Sequence, residues 1–176
     1  MKQRPRSRRS SVAQIDCFTM MDELLASPDE PAPPEVHAGR IAAARSALVR
    51  MRSPETATIT AWSLCCMVGN VLETMLQQGL AADPDGLLQD GFDALKRATQ
   101  AARAPGDPVV LPAADFPSVE GMVEDWAAIL LAAPARSVIR AFRATDRRIR
   151  DIEAGRLQPH DYTVTTGAAR ALGARL

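Results

Sequence analysis

Arg136-Ser137-Val138-Ile139-Arg140-Ala141-Phe142-Arg143-Ala144-Thr145-Asp146-Arg147-Arg148-Ile149-Arg150-Asp151-Ile152 is the stretch on which the fold turns. Arg136, Arg140, Arg143, Arg147 and Arg150 recur at steps of four, three, four and three. At about 3.6 residues per turn that spacing sets them in one ridge along a single α-helix. Val138, Phe142, Thr145, Ile149 and Ile152 keep the same rhythm two residues out of phase and fall on the opposite side. One face packs and the other is cationic.

Upstream, Ala133-Pro134 leaves little chain for a loop, so the preceding helix should fold back on the arginine helix as an antiparallel hairpin. That helix carries Val119, Met122, Val123, Trp126, Ile129 and Leu130 on one side, and Glu120, Glu124 and Asp125 elsewhere. Residues 104–117 hold Pro105, Pro108, Pro112 and Pro117, which makes them an irregular connection with Val109, Val110 and Leu111 lying across the bundle. Asp83-Pro84-Asp85 offers a cap, a first-turn proline and acid for a helix that ends near Arg103 and is weakened by Gly86 and Gly91.

A further helix is expected over 35–52, with Ile41, Ala44, Leu48 and Met51 at helical spacing. Ser53 as N-cap and Pro54 at the first position would open the next one, which Gly79 ends after Gln78. Ile59, Trp62, Leu64, Cys65, Val68, Val71, Leu72, Met75 and Leu76 point in most directions around it, as in the central helix of a bundle. Thr56, Ser63, Asn70 and Gln77, with Glu73 and Thr74 beside them, are expected to form its outer strip. Alternatively, Asn70 and Glu73 belong to a polar seam that fixes the register of a neighbouring helix or a second subunit. The architecture so read is all-α: a single-domain bundle of about five helices over 34–157, with flexible tails at both ends.

The N-terminal segment 1–33 is expected to be mobile. It begins with Lys2, Arg4, Arg6, Arg8 and Arg9, passes an apolar patch at 17–25 that can dock as a short helix, and ends in a proline cluster. Asp22, Asp29, Glu23, Glu30 and Glu35 make the next charged stretch wholly acidic, and the two tracts can attract each other. Residues 158–176 are expected to form a C-terminal arm or tail, whose one strand-like run at 162–166 either packs as an arm or frays.

At 176 residues and 47% apolar content the chain is long enough for one real core, and its 4% aromatic content points to helices meshing small and medium side chains. The formal charge is zero, which removes any argument from net charge to nucleic acid or membrane. Cys17, Cys65 and Cys66 form an odd set with an adjacent pair, so free packing thiols in a cytoplasmic protein are expected rather than a disulfide. No apolar run reaches about 18 residues without polar interruption. Ser7-Arg8-Arg9 starts like a twin-arginine export signal, but Gln14, Asp16, Asp22 and Glu23 stand where an apolar segment would follow.

His37 and His160 lie at no ligand spacing, so no metal or other cofactor is expected, and His37 reads as a satisfied core or boundary residue. Glu120 and Glu124 stand one turn apart, but no Glu-x-x-His partner accompanies them, and a solvated acidic face is the reading. Phosphate loops, nucleophile elbows and kinase-like sets are all missing from the sequence.

The stretches Asp83-Pro84-Asp85-Gly86-Leu87-Leu88 and Ala144-Thr145-Asp146-Arg147-Arg148-Ile149-Arg150-Asp151-Ile152, with Ala154-Gly155-Arg156 and Pro159-His160-Asp161 after them, resemble a family of small uncharacterised proteins of proteobacterial genomes and prophages. The resemblance covers about residues 20–164 and implies a bacterial cytoplasmic or phage accessory protein, with no activity or site residues to carry over.

The arginine ridge therefore carries the functional reading. Asp146 stands three after Arg143 and four before Arg150, and Asp151 four after Arg147, within reach for surface pairs. Arg136 and Arg140 have no acid one turn away, and neutralisation by the acidic preceding helix across the hairpin is expected. The plainest reading is a solvated or internally paired face. As a site, Arg136, Arg140, Arg143, Arg147 and Arg150 suit an acidic protein surface first and a nucleic-acid backbone second. The expectation is a non-enzymatic macromolecule-binding or regulatory accessory protein, with self-association left open, no membrane partner, and a small enzyme with an unrecognised site as the weakest alternative.

Overall fold

Apolar side chains all around one long helix can be satisfied only if other helices surround it, and the fold is built on that requirement. The computed structural model describes residues 18–83, 85–102 and 107–158. Among them are six helices: α1 (Met20–Leu25), α2 (Pro34–Arg50), α3 (Ile59–Gln77), α4 (Leu87–Ala101), α5 (Phe116–Ala132) and α6 (Ala135–Glu153). The bundle is all-α, and its sixth helix, α1, comes from the short apolar patch. The expectations for the Arg-rich tail and Cys17, and for His160 and the strand-like run at 162–166, lie outside the described residues.

α3 packs against α2, α4, α5 and α6, which makes it the central helix. By length and composition it could cross a membrane, but 61% of its most apolar window is buried among its neighbours. Cys65 and Cys66 lie on it with free, fully enclosed thiols, and burial pushes the Cys65 thiol up to about 12. Such thiols pack and do not react at neutral pH. Val109 and Leu111 are buried across the bundle as expected, with the Leu111 N–H donating to the Met51 carbonyl at 2.8 Å.

Two helix starts differ from the expectation. α3 does not start at Ser53-Pro54: Thr58 is its N-cap, accepting from the Ala61 N–H at 3.1 Å. The Thr56 hydroxyl donates to the Arg50 carbonyl at 2.8 Å, and the Ala57 N–H to that of Ser53 at 2.9 Å, closing a separate turn there. α4 likewise starts later than Asp85. Gly86 takes φ +69° before it, and the Asp83 carboxylate reaches forward to accept from the Leu87 and Leu88 N–H groups at 2.8 and 3.1 Å.

Gly91, read as a weakness, is a contact point. A Cβ there would stand 2.8 Å from Met122 Sδ, and one at Gly69 2.8 Å from the Phe92 ring. The two glycines let α3, α4 and α5 approach closely.

The hairpin of α5 and α6 is not formed. Ala133-Pro134 runs extended and turns a corner, and α6 packs along α3 and α1 instead of lying back on α5. The seam between α3 and α6 is polar. Thr145 and Thr74 share a hydroxyl hydrogen bond of 2.7 Å, the Thr74 hydroxyl donates to the Asn70 carbonyl at 3.0 Å, and Arg148 donates to Glu73 at 2.6 Å. Asn70, Thr74 and Thr145 are buried, so the outer-strip reading of Asn70 gives way to the register seam.

His37 is buried on α2 as expected, but neither ring nitrogen has a hydrogen-bond partner among the described residues, and burial with the nearby Arg40 charge pushes its pKa down. The fold thus favours the neutral ring. Its contribution to stability is full above the ordinary value of about 6.5 and is lost as pH falls through the lower folded value. Chemical denaturation of wild type and His37→Leu should show the wild type losing stability between about pH 7 and 5 more steeply than the variant. Parallel curves would show that His37 titrates normally.

Candidate docking face

α6 needs acceptors at its N-terminus and something against its cationic ridge, and one segment supplies both. The Ala135 and Arg136 N–H groups donate to the carbonyls of Glu30 and Ser27 at 2.8 and 2.9 Å, beside an isolated antiparallel bridge between Pro31 and Pro134. Residues 18–33 are thereby tied to α6, where the sequence led to a mobile segment with at most a docked patch. Prolines cannot extend a helix, but an extended proline segment exposes carbonyls, which α6 uses.

α1 is too short to persist by propensity. A capping box opens it, with the Asp22 N–H donating to the Thr19 hydroxyl at 3.1 Å and the Thr19 N–H to the Asp22 carboxylate at 2.6 Å. Phe18 anchors it from the front, edge-on to Phe142 with centroids 5.4 Å apart and under the Arg40 guanidinium at 4.4 Å.

The arginines complete the attachment. Glu23 takes an Arg140 Nε–H at 3.1 Å on one carboxylate oxygen and the Arg143 guanidinium on the other. The Arg140 hydrogen bond, joined by Arg143, holds the Glu23 carboxyl below its ordinary value against the opposing effect of burial. Arg136 donates to the Ala26 carbonyl at 3.0 and 3.2 Å and to that of Leu24 at 3.3 Å. These are free carbonyls at the C-terminal, partly negative end of α1. A cation at the start of α6 is unfavourable for α6 itself, and its placement is explained by α1.

The ridge therefore divides. Arg136, Arg140 and Arg143 are occupied by the chain's own α1 segment, and the expected neutralisation by the helix before α6 does not occur, since α5 lies elsewhere; its Glu124 pairs with Arg45 of α2. Arg150 pairs with Asp146 as the spacing suggested. Asp151 pairs with Arg156 instead of Arg147, which leaves Arg147 exposed with no ion pair among the described residues. Phe18, Arg143, Asp146, Arg147, Arg150 and Arg156 line an open depression of about 340 Å³ at this end of α6.

Glu23, Phe18, Arg40 and Arg156 were not legible as site residues. The one available signal was the wholly acidic stretch after residue 21, which identifies a complement to the arginines without saying which of its five acids is used.

Fold and geometry together define an α-helical bundle in which α6 carries an arginine ridge, three of whose five side chains are engaged by α1. Comparison with protein-family models, curated proteins and solved structures found no match. The functional reading below is drawn from this chain's own residues.

Proposed function

We propose that the protein is a non-enzymatic macromolecule-binding accessory protein, bacterial or prophage-borne as its resemblance implies and working in the cytoplasm, whose docking element is the arginine face of α6 and whose partner is an acidic protein segment. The observation that carries this reading is the grip on Glu23: two arginines one turn apart hold one carboxylate while a third reads the carbonyls at a helix end. That is recognition of an acidic helix, here served by α1. Nucleic-acid backbone contact is the second reading, and the charge count disfavours it. Arg150 and Arg156 are already paired with acids, so among the described residues Arg147 is the ridge position beyond α1 left without an ion pair.

The test uses a labelled peptide carrying residues 18–31 and a duplex DNA of about 20 base pairs as probes. In the wild type the tethered α1 competes at high effective concentration, so added peptide should bind weakly. In the full chain with Glu23→Gln the internal clamp is loosened, and peptide affinity should rise about tenfold or more. Arg136→Gln with Arg140→Gln and Arg143→Gln should abolish it, and because these arginines hold α1 the triple variant should also open residues 18–31 to proteolysis. Failure of Glu23→Gln to gain peptide binding sinks the reading. So does DNA binding whose log affinity falls against log salt with a slope steeper than about −3, which would turn the ridge over to phosphates.

A further inference from the structure

Amphipathic helices normally turn their apolar side to the protein and their polar side to water. α1 is attached the other way round. Glu23 faces α6 with its side chain 17% exposed, whereas Met20, Met21, Leu24 and Leu25 point outward at 63, 61, 63 and 79% exposure. Their positions, two adjacent residues and two more one turn on, form a single stripe. Together they put on the order of 500 Å² of apolar surface in one place, at the size where a patch marks an interaction site.

The surroundings of the stripe indicate what covers it. α1 runs antiparallel to α6, with Phe18 beside the Arg147 end and Ala26 beside Arg136. Beyond its C-terminal end stand Asp29 and Glu30, exposed and without an ion pair among the described residues. Beyond its N-terminal end stands Arg147, also exposed and without one. The backbone of Glu30 is bonded to Ala135, and Glu23 sits between Arg140 and Arg143. Ala135 and Arg147 therefore lie six residues to either side of Ala141, about 9 Å each way along α6, with the centre of α1 between them. A two-fold axis through that centre exchanges the acidic end with the basic end.

We infer that the outward face of α1 is a homodimer interface, in which the apolar stripe of one copy packs antiparallel on that of a second. Asp29 and Glu30 of each copy then meet Arg147 of the other. The charges are self-complementary about that axis, which an isologous pairing requires. The apolar stripe falls short of the roughly 800 Å² per partner of a standard interface, and the charged rims supply the remainder, so the dimer is reversible with a dissociation constant in the micromolar range. The pairing rests on the proposed docking role of the arginine face for its basic rim only; the apolar stripe stands apart from it.

Sedimentation velocity on the full chain, from about 1 to 500 μM in reducing buffer, should show a monomer–dimer equilibrium. Leu25→Asp and Met21→Asp alter exposed side chains that take no part in the Glu23 ion pairs with Arg140 and Arg143, and each should raise the dissociation constant at least about tenfold with little change in melting temperature. Arg147→Glu alone and Glu30→Arg alone should weaken the dimer, and the two together should restore it, because the pair re-forms across the axis with its signs exchanged. A chain monomeric at every concentration overturns the inference, as does a dimer indifferent to Leu25→Asp and Met21→Asp. A chain that dimerises only when residues 1–15 are deleted overturns it as well, since its own tail is then the occupant. If the apolar variants break the dimer but both reversals leave it unchanged, the antiparallel charged register is wrong, while the arginine-face reading still stands or falls on the peptide experiment.

Discussion

Leu72→Ala lowers the free energy of unfolding by about 2 to 5 kcal/mol in urea titration, and Ile149→Ala falls toward the lower end of that range. Leu72 is 1% exposed on α3, the helix that four others surround, so the lost side chain leaves a cavity that no single neighbour can close. Ile149 is 4% exposed but lies outside the main apolar cluster, near the C-terminal end of α6, where relaxation is easier. Against a total of about 5 to 15 kcal/mol for a domain, the Leu72 change removes a large share of the stability. Losses below about 0.5 kcal/mol at both positions would mean that the helical phases of α3 and α6 are wrong.

Gly91→Ala destabilises by about 1 to 3 kcal/mol although it replaces the poorest ordinary helix former with the best. The new Cβ would lie 2.8 Å from Met122 Sδ and 2.9 Å from Met122 Cβ. The sulfur can swing away, but Met122 Cβ is fixed by the α5 backbone, so α4 and α5 must separate. Gly39→Ala is the matched control, because a Cβ on that helical glycine meets nothing within 4 Å. It should stabilise by about 0.4 to 1 kcal/mol. Urea midpoints moving in opposite directions for the two variants confirm the close approach; movement in the same direction would sink it.

Much of this fold was legible in the chain because it rests on local periodicity. The phase of α6 follows from the arginine spacing, and the packing side carrying Val138, Phe142, Thr145 and Ile149 is buried. α3 was identifiable as the centre because apolar residues nearly encircle it. Its stop at Gly79 was legible too, since a left-handed residue there, φ +72°, ends a helix by a local rule. Where several local rules competed, the reading slipped: Ser53 and Thr58 are both good caps, and hydrogen bonds of the residues between them decided for Thr58.

The candidate site was half legible. The five arginines could be read from spacing, but their division into three that hold α1, one paired with Asp146 and one without an ion pair among the described residues could not. That division depends on where Glu23 lies, more than 110 residues away in sequence, and ion pairs carry no periodicity that reveals their partner.

By itself the sequence determined the class of fold, the central helix, the two faces of α6 and the packing role of Cys65 and Cys66 on α3, because each follows from backbone geometry and side-chain type within a few turns. Only the tertiary structure decided that α6 leaves α5 for α3, that Gly91 is a contact rather than a flaw, and that α1 lies on the arginines with its apolar side outward. Those outcomes depend on which surfaces meet, and meeting surfaces are chosen by close packing and by the pairing of buried polar groups across long loops, neither of which a local pattern encodes.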